Sequence, residues 1–106
     1  MASPTPDTDI ENTTKDKLGK LYHVIILNDD EHTFEYVIEM LQTVFNLPYA
    51  AAVARTVEAD STGSSIVLTT SLEEAELKRD KVHAYGPDWR MPNSRGSVAA
   101  LVEAAS

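Results

Sequence analysis

The apolar run Val24-Ile25-Ile26-Leu27 ends abruptly at the polar stretch Asn28-Asp29-Asp30-Glu31-His32-Thr33. Beyond it, Phe34, Val37, Ile38, Leu41, Val44 and Phe45 recur with the three- and four-residue spacing of a single helical stripe. That change of period demands a strand, a tight polar turn and a helix, in that order. The turn can cap the helix through Thr33 or Asp30, with Glu35 favourable in the first turn. It can also hold a cation between its carboxylates, and the residues alone leave both readings open.

The remaining elements follow from punctuation. Asn46-Leu47-Pro48 closes the helix and opens a second over residues 48–60, because proline suits a first turn and not an interior. Gly63 suits a left-handed closing turn. Ser65 to Thr70 is rich in β-branched residues and reads as a strand lying against the first. Thr70 with Glu73, or Ser71 with Glu74, forms a capping box for a third helix. Leu72, Ala75, Val82 and Tyr85 give that helix its inner face, and Gly86-Pro87 stops it. Residues 89–96 read as an irregular loop and 98–103 as a last strand. Residues 1–20, with Ser3-Pro4-Thr5-Pro6 and Asn12-Thr13-Thr14, read as a disordered tail before one domain at 21–106. The order β-α-α-β-α-β predicts an α+β fold, a three-stranded antiparallel sheet with three helices packed on one face.

Charge narrows the function. A net charge of −8, from 9 basic and 17 acidic residues, argues against nucleic acid and anionic membranes as partners. No apolar run is long enough to cross a bilayer, no signal peptide is recognisable, and there is no cysteine, so the expected location is cytoplasmic. No nucleophile with an oriented base is apparent, so no catalytic residue is assigned and no enzyme is expected. The spacing of Asp29, Asp30 and His32 matches neither a calcium loop nor a zinc motif, and no metal or cofactor is assigned.

Asp60 adds a second anion. It falls in the last turn of the second helix, where the dipole disfavours it, on a face shared with Val53 and Thr56. Should it meet the acidic turn, the two flank a cavity lined by Phe34, Val53, Thr56 and Ala59. An apolar floor with an anionic rim suits an ammonium carried on a large apolar side chain, which in a protein is the first residue of a chain.

Asn28-Asp29-Asp30 after an apolar strand, followed by Phe34-Glu35-Tyr36-Val37 and later by Ala75-Glu76-Leu77-Lys78, resembles the ClpS adaptors over residues 21–86. The resemblance implies a monomeric adaptor that binds N-degrons, proteins whose first residue is Leu, Phe, Tyr or Trp. It implies delivery of these to the N-terminal domain of a ClpA or ClpC unfoldase of the Clp protease. Asn28 with Asp29 or Asp30 would receive the α-ammonium and first peptide group, with His32 at the rim. Phe34, Thr56 and Ala59 would line the side-chain pocket, Asp60 would accept a hydrogen bond from the α-amino group, and Glu73 and Lys78 would dock on the unfoldase. Several positions depart from the family. Asp60 stands where members usually carry histidine, Phe34 where methionine is common, and Thr56 and Ala59 replace larger apolar side chains. Glu31-His32-Thr33 replaces the usual aromatic-Thr-Pro. With Asp60 in place of histidine, affinity is expected to be flat between about pH 5.5 and 7. On other grounds the alternatives are an interaction domain like the similarly folded C-terminal domain of the ribosomal stalk protein, or a metal-dependent hydrolase built on Asp29, Asp30, His32 and Asp60.

Overall fold

A computed structural model describes residues 20–105, so the tail expected over residues 1–20 lies outside the described residues except for Lys20. The elements are β1 (Tyr22–Leu27), α1 (Phe34–Phe45), α2 (Tyr49–Thr62), β2 (Ser64–Thr70), α3 (Leu72–His83) and β3 (Ala100–Ala104). They match the expected order, with ends shifted by one or two residues. The sheet is antiparallel throughout, in the order β2-β1-β3, so the first strand is central.

Local chemistry sets the boundaries. Thr33, not Asp30, caps α1, its hydroxyl accepting the Tyr36 N–H at 3.1 Å. Asn46 closes α1 in the left-handed region at φ 56, and Gly63 closes α2 at φ 96, where a glycine carries no steric penalty. Of the two capping choices for α3, the structure uses Ser71, which accepts from the Glu74 N–H.

The core differs from the expected stripe. Tyr36, Met40, Leu41 and Val44 are buried, while Phe34 is 45% exposed. The helix is turned because it is covered on two sides, by α2 and by the segment between α3 and β3. Tyr36 can enter the interior because its hydroxyl donates to the Gly86 carbonyl at 2.6 Å and accepts from the Val98 N–H. On α3, Ala75 and Val82 are buried as expected, but Leu72 is 40% exposed in the first turn. β1 is apolar on both faces for two separate reasons. Val24 and Ile26 face the helices as part of the core, whereas Ile25 is shielded on the opposite face by its cross-strand neighbours Ile66 and Leu101. A bulge in β2, opposite Val24 and Ile25, turns Val67 inward while Ile66 stays out.

Candidate functional site

The polar turn is fixed where it leaves the sheet. The Leu27 N–H donates to the Ala99 carbonyl at 3.0 Å and the Asn28 N–H to the Gly63 carbonyl at 2.9 Å. Because Gly63 ends α2, that second bond draws the last turn of α2, with Asp60, to the side of the acidic turn. Between them lies a cavity of about 50 Å³. Its apolar lining comes from Ile26, Leu27, Val37, Ala59 and Val98, and its polar lining from Asn28, Asp29, His32, Thr56 and Asp60, with Phe34 completing the wall. The Thr56 hydroxyl donates to the Ala52 carbonyl at 2.8 Å, so its proton is committed to the helix backbone.

Seven of the eight residues assigned to recognition therefore come together: Asn28, Asp29, His32, Phe34, Thr56, Ala59 and Asp60. Asp30 is exposed and not among the lining residues, and neither is Val53, which helical spacing places in the floor. Val37 and Val98 take that place. Val37 belongs to the apolar stripe, so spacing could have found it. Val98 reads in sequence as the start of a strand, but it precedes β3 in a connecting segment.

Asp29 and His32 form a fixed unit. One Asp29 oxygen accepts the Glu31 N–H at 2.9 Å, and His32 Nδ1 lies 2.8 Å from both oxygens. On its other side, His32 Nε2 donates to the Gly96 carbonyl at 2.7 Å. The segment 86–97 is thereby joined to the turn, and a second tie reinforces it. Asp88, fully buried, accepts the Thr33 N–H at 2.6 Å through one oxygen and the Arg90 N–H at 3.0 Å through the other. Burial alone would raise the Asp88 carboxyl, but the bonds from Thr33 and Arg90 outweigh it and hold the group below its ordinary value. Arg90 continues to Glu39 on α1 at 2.9 Å, the contact that most raises its guanidinium. Burial likewise keeps the Tyr36 phenol above its usual range, which suits its role as a donor. Asp88 carries no sequence signal beyond its place in a Gly-Pro-Asp turn, since Thr33 lies over fifty residues away.

The two residues assigned to docking diverge. Glu73 is exposed, beside a shallow groove lined by Ser71, Glu74, Glu76, Leu77 and Asp80. Lys78 turns back: its Nζ donates to the Val44 carbonyl at 3.0 Å and sits 3.8 Å from Glu74. It supplies a partner for a carbonyl at the end of α1, where a cation is favoured. Among the described residues, no three His, Asp or Glu side chains gather as metal ligands, and no helix is long and apolar enough to cross a membrane.

Comparison with known proteins bears on the family and the fold. Residues 17–92 match the family model described as ATP-dependent Clp protease adaptor protein ClpS. The chain is similar to the ATP-dependent Clp protease adapter protein ClpS of Nautilia profundicola, at 41% identity over 72% of this chain and 78% of that one. To the ClpS of Vibrio atlanticus it is 33% identical, over 86% of each chain. Among solved structures it resembles Agrobacterium tumefaciens ClpS2 bound to L-phenylalaninamide, with a TM-score of 0.69 and 27% identity over 80% of this chain and 96% of that one.

Proposed function

This chain belongs to the ClpS family of Clp protease adaptors, and on that premise we propose that it binds N-degrons, taking the first residue of a substrate, Leu, Phe, Tyr or Trp, into the cavity beside its acidic turn. The observation that carries this reading is the cavity itself. Asn28, Asp29 and Asp60 meet at the edge of a floor made by Ile26, Leu27, Val37, Ala59 and Val98. Asp29 is already engaged by His32 and the Glu31 N–H, and Asp60 on the opposite side, with no lysine or arginine in the lining, leaves a place for one ammonium. The ligand bound by the Agrobacterium protein, an aromatic amino-acid amide with a free α-amine, has the chemistry such a site selects. Burying a large apolar side chain contributes about 1.5–3 kcal/mol. Charge-assisted hydrogen bonds to the ammonium add about 1.5–3 kcal/mol each, so neither half of the ligand suffices alone. Phe34 stands half-exposed at the wall of this cavity.

Delivery to a ClpA- or ClpC-type unfoldase is assigned to α3. Glu73 with Glu76 and Asp80, around the exposed Leu72 and Leu77, presents an acidic surface with apolar points. That pattern would suit a partner face that is basic and partly apolar. Lys78 lies at the edge of this surface. The interaction-domain reading, which rests on fold likeness to a ribosomal stalk domain, gives way to the family match.

Binding to peptides that differ only in their first residue tests the recognition reading. Tight binding is expected for Phe, Leu, Tyr and Trp and weak binding for Ala, Asp and Lys. Equal affinity across the panel would overturn it.

A further inference from the structure

The lining of the cavity divides by depth. Asn28, Asp29 and Asp60 are exposed and form the rim, whereas Ile26, Thr56, Ala59 and Val98 are buried and form the floor. Thr56, 3% exposed, is the polar member of that floor. His32 also lines the cavity, but both of its ring nitrogens are engaged, by Asp29 and by the Gly96 carbonyl. The Thr56 hydroxyl has committed its one proton to the Ala52 carbonyl, and among the described residues none donates a hydrogen bond to its oxygen. A hydroxyl keeps two lone pairs beside its proton, so what Thr56 still offers is an acceptor. Position gives that acceptor a meaning. Thr56 and Asp60 lie four residues apart on α2, on one face and about 6 Å apart along its axis. Asp60 stands at the rim and Thr56 behind it. An N-terminal tyrosine carries two matching points in one residue, an ammonium at one end and a phenolic O–H at the far tip of its ring. Phenylalanine and leucine bring nothing to the second point.

We infer that Thr56 is a specificity-determining residue: its oxygen accepts a hydrogen bond from the ring hydroxyl of an N-terminal tyrosine, so the site prefers tyrosine to phenylalanine. The inference rests on the recognition reading above and names the side chain that the same site favours. Over a wholly apolar floor the phenol would give up its bonds to water without replacement, and phenylalanine would bind better. An acceptor in the floor reverses that order. The preference is modest, because Thr56 keeps its own bond to Ala52 when phenylalanine occupies the cavity and no buried donor is left unpaired.

Calorimetry on the full chain tests this with short peptides that differ only in their first residue: tyrosine, phenylalanine, or 4-methylphenylalanine, which approaches tyrosine in size but has no donor. The tyrosine peptide should bind about fivefold more tightly than the phenylalanine peptide, and 4-methylphenylalanine should bind no better than phenylalanine. Thr56→Val keeps the branched shape and removes the oxygen. It should abolish or invert the tyrosine preference and leave the affinity for phenylalanine nearly unchanged, whereas a merely structural threonine would lower both together. Equal binding of tyrosine and phenylalanine by the wild type, 4-methylphenylalanine as tight as tyrosine, or a tyrosine preference that survives in Thr56→Val would overturn the inference. If Thr56→Val does not fold, the three wild-type affinities decide. An N-acetylated tyrosine peptide keeps the two readings apart. If it binds as tightly as the free peptide, N-terminal capture itself fails; if a free amine is required but tyrosine is not preferred, the assignment of Thr56 alone fails.

Discussion

The acidic turn and α3 draw on the same charged residue types and use them in opposite ways. In the turn, Asp29 is clamped by a backbone N–H and an enclosed imidazole, and Asp88 behind it is saturated by Thr33 and Arg90. On α3, Glu73, Glu76 and Asp80 stand in solvent, and Glu74 and Lys78 form a loose pair at 3.8 Å. Charge fixed before a ligand arrives costs nothing to order on binding, which suits recognition of one small group. Charge left on a solvated helix guides encounter with a large surface and contributes little to the fold. On the proposed function the contrast separates recognition from docking, and substitutions in each region should separate with it.

The largest effect should come from Asp88. Asp88→Ala leaves the Thr33 N–H and the inner side of Arg90 without an acceptor in a buried place, and should destabilise the fold by about 3 kcal/mol in urea unfolding. A loss below about 1 kcal/mol would show that the loop is not fastened through this carboxylate. The pH dependence has a defined sign. Because the folded-state value is depressed, the unfolded chain binds the proton more readily. This stabilisation is complete above about pH 4 and disappears as pH falls through the depressed value. Asp88→Asn should remove that acid-side slope.

Next in size is the peptide's charge. Acetylating the N-terminus removes the ammonium but keeps the ring, and should weaken binding at least about tenfold. Asp60→Asn should give part of that loss with the free peptide and almost none with the acetylated one, measured by calorimetry. Equal losses with both would mean that Asp60 shapes the cavity instead of facing the ammonium.

Asn28→Ala should also weaken binding while the fold persists, because its tie to Gly63 is made by the backbone and survives the substitution. Asp30→Ala sharpens the assignment within the turn. Asp30 matches the family pattern by its position in Asn-Asp-Asp, yet it lies outside the cavity lining. A smaller loss for Asp30→Ala than for Asn28→Ala is expected if the lining marks the binding groups. The reverse order would place the ammonium further out, at the mouth.

What can be read from sequence divides along the same line. The strand, turn and helix order is legible because it depends on neighbours in the chain: a change of hydrophobic period, a capping threonine, a glycine after α2. Most of the site is legible because Asn28, Asp29 and His32 sit on that turn and Thr56, Ala59 and Asp60 on one face of α2. The ties from the 86–97 segment are not legible. Asp88 to Thr33 and His32 to Gly96 span more than fifty residues, and no local pattern announces such a bond. The same limit rotates the core of α1. Phe34 looks like a core residue by spacing, and the cover from α2 and from the segment between α3 and β3 explains why Tyr36 takes the interior.

The smallest stability effects belong to α3, and there the two docking residues should part. Glu73→Ala touches nothing in the fold and should change stability by no more than about 0.5 kcal/mol. Lys78→Ala gives up the bond to the Val44 carbonyl and the pair with Glu74, and should cost about 0.5–1.5 kcal/mol. Neither should alter affinity for a peptide with N-terminal Phe, since the cavity is lined by other elements. The double variant should nevertheless lose degradation of a model substrate by the cognate unfoldase and protease. Lys78→Met keeps the apolar stem and separates the causes. If Glu73→Ala alone abolishes delivery and Lys78→Met leaves it intact, the acidic face is the docking surface and Lys78 serves α1. If Lys78→Met alone abolishes delivery, the ammonium must leave Val44 to meet the partner. Undiminished degradation with both residues replaced would place docking elsewhere on the molecule.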